Sequence, residues 1–220
     1  MAAQILTPFQ KDFIYCLGKK TRLNRRFYLT GGTALSAYYL FHRYSEDLDF
    51  FSTNQIDVSE INSFLKGIKP TLKIIRTDFQ QSFNRNIFFI HSKKEILKTE
   101  FTYFPFEQVE KPLKKDGILI DSLIDIAVNK MFTIVQNPIA RDFIDLYYIL
   151  KRYSDFSLPK LLKLARGKFD AQIDPINLGM QLLKAETLQD LPRMLEKTDH
   201  KEWRLFFIAQ AKRLSKEIFK

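Results

Sequence analysis

A single cysteine, Cys16, stands among 220 residues, which excludes an intramolecular disulfide. Its setting, Phe13-Ile14-Tyr15-Cys16-Leu17, suits a buried thiol better than a nucleophile. The three histidines, His42, His91 and His200, share no ligand spacing. Neither a zinc-ligand pattern, a Ser-His-Asp pattern nor a G-x-x-x-x-G-K-[ST] loop is present. Apolar runs stay well short of the ~18–20 residues a membrane span needs. The first residues, Met1-Ala2-Ala3-Gln4-Ile5-Leu6-Thr7-Pro8, show no basic stretch followed by an apolar one, so no signal peptide is expected. These absences favour a protein of the reducing cytoplasm with no membrane partner. Internal repeats and low-complexity tracts are absent as well.

Phenylalanine is plentiful, at 21 residues against one tryptophan, and much of it should be core. Basic residues outnumber acidic ones, 35 to 25, for a formal charge of +10. Clusters stand at Lys19-Lys20, Arg22, Arg25-Arg26, Lys111 and Lys114-Lys115. Such a surface attracts polyanions, although it is also compatible with simple solubility.

The pattern changes character along the chain. Thr7-Pro8 reads as a cap and first turn of a helix reaching about Leu17. A strand is expected over 26–30, a helix over 32–41, a strand over 47–52 and a short helix from Val58 to Gly67. Three runs rich in Ile, Phe or Thr follow as strands, 71–79, 84–91 and 95–104, and Pro105 and Pro112 bracket a loop. Beyond Asp121, a plausible cap, the pattern is helical: 121–136, 140–152, 158–168, 175–185 and about 200–219. Strands first and helices later predict an α+β fold, with one domain over 1–115 and an all-helical one over 116–220.

Two segments carry the chemistry. Gly31-Gly32-Thr33-Ala34-Leu35 follows the apolar run Phe27-Tyr28-Leu29-Thr30. The glycines would let backbone N–H groups approach a phosphate with no Cβ in the way, and the following helix adds a positive end. Further on comes His42-Arg43-Tyr44-Ser45-Glu46-Asp47-Leu48-Asp49-Phe50-Phe51. Strand alternation puts Asp47 and Asp49 on one face, about 7 Å apart. Two such carboxylates suit a divalent cation that shares its shell with substrate phosphates. Glu100, on the polar face of 97–103, is the best third carboxylate. Arg43 and Ser45, just before the aspartates, could touch a triphosphate. Alone, D-x-D also reads as a solvated strand edge, and G-G-T as a strand-to-helix turn. In this order and this close, they point to nucleotidyl transfer.

The combination G-G-T-A-L then H-R-x-S-E-D-L-D-F-F resembles the AbiEii toxin family of nucleotidyltransferases, within the DNA polymerase β-like superfamily. The helical half adds Lys130 and then Arg141-Asp142-Phe143-Ile144-Asp145-Leu146-Tyr147, similar to the family's lysine and R-D-x-x-D-L-Y segment. The resemblance implies a nucleotidyltransferase-fold mixed sheet with helices, and a helical domain closing the cleft. It implies Mg²⁺ or Mn²⁺, a nucleoside triphosphate and a toxin paired with an antitoxin protein. By position, Asp47 and Asp49 become metal ligands, with Glu100 joining them from strand logic. Gly31, Gly32, Thr33, Arg43 and Ser45 would lie along the nucleotide, together with Arg141. Lys130 would contact phosphate or assist catalysis, supported by Asp142 or Asp145. Without the resemblance, Asp142, Asp145 and Arg141 could equally be surface pairs on one helix.

The expected reaction is transfer of an NMP from an NTP to an acceptor hydroxyl, on RNA such as tRNA or on a protein. Two other readings stay open: a nucleotide- or RNA-binding module without turnover, and a small-molecule transferase acting on an antibiotic. The basic charge disfavours a cationic antibiotic as acceptor.

Overall fold

The computed structural model describes residues 5–218. It divides into two compact units, Met1–Ser122 and Leu123–Lys220.

The first unit is built on a mixed seven-stranded sheet. Its strands are β1 (Tyr28–Thr30), β2 (Leu48–Ser52), β3 (Arg76–Ser82), β4 (Arg85–His91), β5 (Ile96–Tyr103), β6 (Leu113–Lys115) and β7 (Ile118–Ile120). They lie in the order β3-β4-β5-β2-β1-β7-β6. β2 runs parallel to β5, and β1 runs parallel to β7. The other neighbours are antiparallel. Three helices accompany the sheet: α1 (Pro8–Gly18), α2 (Gly31–Leu35) and α3 (Val58–Ile68). α2 widens into a π-helical turn over Ser36–Leu40.

Local chemistry explains most of these elements. Thr7 and Gln10 form a reciprocal capping box at the start of α1, and Pro8 fills its first turn. Asp57 caps α3 by accepting from the Ser59 backbone N–H. β2 alternates, with Leu48, Phe50 and Ser52 buried and Asp49 and Phe51 half-buried.

The apolar side of the sheet is an aromatic cluster. Phe50 stacks on Phe101 at 5.2 Å, and Phe27 and Phe88 meet the Phe101 ring edge-on. Phe13 of α1 bridges Phe50 and Phe64 of α3, fixing both helices to this side. Each fully buried Phe is worth roughly 1.5–3 kcal/mol in removed apolar surface, so this cluster holds the sheet rigid beneath the polar face.

The 105–112 loop runs as expected, but 113–120 forms a β-hairpin. Asp116 and Gly117, at φ 52° and 80°, occupy the two left-handed positions of a tight turn. Because β7 pairs with β1, the hairpin belongs to the sheet. The first unit therefore runs to Ser122 rather than stopping at 115. Asp121, at the end of β7, receives the Thr30 hydroxyl at 2.7 Å and the Gln108 amide at 2.6 Å.

The second unit is helical: α4 (Leu123–Gln136), α5 (Ala140–Arg152), α6 (Leu158–Phe169), α7 (Pro175–Leu183), a short 3₁₀ turn at Lys184–Glu186 and α8 (His200–Ile218). Ser157 and Asp174 cap α6 and α7. Its core includes Phe143 of α5 with Trp203 and Phe207 of α8, all fully buried. No described helix is long and apolar enough to cross a membrane.

Candidate active site

Thr30 of β1, Asp49 of β2 and Glu100 of β5 stand side by side across three adjacent strands. Residues paired in register share a face, so the Asp49 and Glu100 carboxylates emerge on the same side of the sheet. Asp47 lies one residue before β2 and contacts Lys98, which alternates onto the Glu100 face of β5. The register itself puts Asp49 and Glu100 on one face, as expected. Phe50 and Phe101 occupy the opposite face, in the aromatic cluster.

The glycine turn is built around these carboxylates. Gly31 has φ 70°, a conformation that L side chains rarely adopt. A Cβ there would stand 2.7 Å from Oδ2 of Asp49. A Cβ on Gly32 would collide with the Arg43 guanidinium and lie 3.0 Å from Oγ of Ser45. At both Cβ positions the space opened by glycine is thus filled by protein, where the sequence suggested room for a phosphate. The Thr33 side chain is fully buried and its hydroxyl donates to the Asp47 carbonyl. Arg43 is also buried, and its Nη1 donates to the Tyr44 carbonyl at 2.9 Å. Gln10 of α1 holds the same loop by donating to the Glu46 carbonyl at 2.8 Å. Thr33 and Arg43, expected along a nucleotide, are both buried at this turn, where Thr33 ties it to the Asp47 backbone and Arg43 packs against Gly32. Ser45 remains half-buried at its edge.

Two cations that the sequence did not single out face the acidic row. Lys98 of β5 places Nζ 2.6 Å from Oδ2 of Asp47. Arg85 of β4 holds Glu100 in a two-pronged pair, with Nε to Oε1 and Nη2 to Oε2 both at 2.6 Å. The Thr102 hydroxyl adds a third bond, to Oε1 at 2.6 Å. Burial pushes the Glu100 carboxyl upward, but the Arg85 and Thr102 hydrogen bonds outweigh it and hold the carboxyl below its usual range. Arg85 is correspondingly raised, first by its bonds to Glu100 and also by the nearby charges of Asp49 and Asp47. Neither cation could be placed from periodicity, because both contacts depend on strand pairing.

Among the described residues, no three acidic, His or Cys side chains gather as a ready metal cage. Asp47 and Asp49 alone still fit Mg²⁺ or Mn²⁺. Such a cation commonly takes one or two carboxylates and completes its shell with water and phosphate oxygens. The geometry of Glu100 is less suited, since both its oxygens are already engaged by Arg85.

The second unit carries a separate constellation. Lys130 of α4 lies 2.7 Å from Oδ1 of Asp142 and 2.6 Å from Oδ2 of Asp145, both on α5. All three side chains are at least nine-tenths buried. The sequence left Lys130 either snorkelling or pointing into a cleft, and here it joins the two helices of its own unit. Asp142 and Asp145 are therefore not surface pairs. Arg141 is exposed. Beside Lys130, both amide atoms of Asn129 are buried without a hydrogen-bond partner among the described residues.

Comparison with known proteins agrees with this architecture. A protein of Aquifex aeolicus (strain VF5), aq_aa25, itself uncharacterized, is 32% identical over 146 residues, 65% of this chain. The match spans 66% of that protein, just under two thirds of its length. Two Helicobacter pylori crystal structures share the fold. One, a candidate nucleotidyltransferase, has a TM-score of 0.59 and 21% identity, over 95% of this chain and 92% of that one. The other, JHP933, has a TM-score of 0.58 and 22% identity, over 95% and 90%. Residues 15–215 match the family model described as nucleotidyl transferase AbiEii toxin of a type IV toxin–antitoxin system. The chain thus belongs to the AbiEii nucleotidyltransferase family.

Proposed function

We propose that this protein transfers an NMP from a nucleoside triphosphate to an acceptor hydroxyl, in the role of a toxin restrained by a separate antitoxin. The observation that carries this reading is the fit of the Gly31 turn to the Asp49 carboxylate, 2.7 Å from a would-be Cβ. A strand edge with solvated aspartates would need no such fit. Asp47 and Asp49 are the residues that would hold Mg²⁺ or Mn²⁺. When bound, the cation neutralises phosphate charge and activates the attacking oxygen. The chain's own part is to hold both carboxylates on a sheet whose other face is packed by the aromatic cluster, so that no reorganisation is needed as charge develops. The family pattern gives Lys130 a phosphate-contacting role, with Asp142 and Asp145 holding its ammonium in place. The net charge of +10 favours a polyanionic acceptor, such as tRNA or another RNA, over a cationic small molecule.

The test is incubation with each radiolabelled NTP, Mg²⁺ and total RNA, following both label transfer and pyrophosphate release. Native protein is expected to label RNA, and Asp49→Asn to lose the activity while melting normally. Nucleotide binding without pyrophosphate release would replace this reading with a binding module. Label on a protein, or on an added antibiotic, would redirect the acceptor.

A further inference from the structure

We propose that Glu100 serves as a positioning residue for Arg85 rather than as a metal ligand, and that Arg85 is the cation that receives an anionic group of the substrate. This inference rests on the metal-and-nucleotide reading above. Arg85 opens β4 and is paired in the ladder with Thr102, yet its head group reaches diagonally to Glu100. A metal taking Glu100 would have to displace a two-pronged, charge-assisted pair, among the stronger polar contacts a protein makes.

The exposures are lopsided in an informative way. The Glu100 side chain is 6% exposed and that of Arg85 52%. The anion is sunk into the sheet and the cation is presented above it. Glu100 occupies Nε and Nη2, which leaves both N–H groups of Nη1 with no partner among the described residues. A planar guanidinium fixed along one edge, with its remaining donors turned outward, suits a phosphate oxygen. The face also needs such a group. Asp47, Asp49 and Glu100 would repel a triphosphate, and Lys98 is already paired with Asp47. Arg85 sits on the same face, one strand beyond Glu100 and two residues along from its row.

The experiment separates metal binding from anion binding without using turnover. Mn²⁺ affinity is read by electron paramagnetic resonance of the free ion. Binding of inorganic tripolyphosphate is then read by calorimetry at saturating Mn²⁺. Asp49→Asn is expected to weaken Mn²⁺ by about tenfold or more, and Glu100→Gln to leave it within about threefold. Glu100→Gln and Arg85→Ala are each expected to weaken tripolyphosphate by about tenfold, with Arg85→Lys recovering only part. Thermal melts accompany each variant. Where Glu100→Gln melts early, Glu100→Asp repeats the test, keeping the charge but shortening the reach to Arg85. A loss of Mn²⁺ in the Glu100 variants as large as in Asp49→Asn would overturn the inference alone. So would undiminished tripolyphosphate binding by Arg85→Ala. Native Mn²⁺ affinity in Asp49→Asn would instead overturn the metal reading, and the inference with it.

Discussion

Oδ2 of Asp49 occupies the space that a Cβ on Gly31 would need, at 2.7 Å. Gly31→Ala would therefore act twice. The left-handed backbone at φ 70° costs a non-glycine residue about 1–2 kcal/mol, and Asp49 must shift to admit the methyl group. A displacement of order 1 Å at a reacting group can cost about 10²-fold in rate. Gly32→Ala should be milder, because its φ is ordinary and the group it meets is the far end of the Arg43 side chain. We expect Gly31→Ala to lose nearly all NMP transfer and Gly32→Ala to keep a measurable part. Steady-state transfer rates, read beside urea melts, check the ranking.

Lys130 is paired with two carboxylates in a nearly dry setting, at 2.7 and 2.6 Å. Removing the lysine takes away the cation that Asp142 and Asp145 share. Breaking a buried ion pair from one side typically costs about 3–5 kcal/mol. Lys130→Met should thus destabilise the helical unit strongly. Lys130→Met combined with Asp142→Asn and Asp145→Asn should recover much of that loss, since no unpaired charge remains. Both variants should lack transfer activity if Lys130 also meets phosphate. Denaturant melts of the single and triple variants give the stability half of the prediction, and the transfer assay gives the other.

How far the site was legible follows from which physics placed each residue. Gly31, Gly32, Asp47 and Asp49 lie within one short stretch and obey local rules, so spacing and alternation alone could single them out as candidates. Glu100 came from the period-two pattern of its strand, and its register opposite Asp49 agrees. Arg85 and Lys98 were invisible because their contacts depend on which strands become neighbours, a tertiary fact. The same limit applied to Thr33 and Arg43. Their types suit phosphate binding, but only packing reveals that both side chains are buried behind the turn. The β6–β7 hairpin is a different case. Asp116-Gly117 is a strong hairpin signal, but each strand has only three residues, too few to show a pattern.

Glu100 also links the site to pH. Its carboxyl is held below the usual range in the folded protein, so its pair with Arg85 supports the fold above the unfolded value of about 4.3. That support fades as pH falls through the lowered folded value, because protonation first favours the unfolded chain. Arg85→Ala removes the two strongest of the hydrogen bonds that oppose burial and leaves the Thr102 bond and the Lys98 charge, so the carboxyl moves upward. The stability gap between native protein and Arg85→Ala should therefore be widest near neutral pH and close progressively below about pH 4. Urea unfolding of both proteins across that interval measures it. A gap that stays constant, or widens in acid, would contradict the assignment of Arg85 as the partner that holds Glu100 ionised.

The contact between α1 and the β6–β7 turn offers a test of the part of the sheet that local sequence patterns concealed. A Cβ on Gly18 would lie 3.0 Å from the Asp116 carbonyl oxygen and 3.2 Å from Cα of Gly117. Those atoms are backbone, locked in a tight turn, and cannot swing aside as a side-chain tip can. Overpacking of this kind typically costs about 1–3 kcal/mol. Against it stands the better helix propensity of alanine, at most about 1 kcal/mol and less at a helix end such as Gly18. The clash should win, so Gly18→Ala is expected to destabilise the first unit. Gly179, in the middle of α7, has nothing within 4 Å of its would-be Cβ, so only propensity operates there. Gly179→Ala should stabilise the helical unit by about 0.5–1 kcal/mol. Opposite signs for the same substitution, read from urea melts, are the expected result. Equal effects at the two sites would mean that α1 does not press on the hairpin.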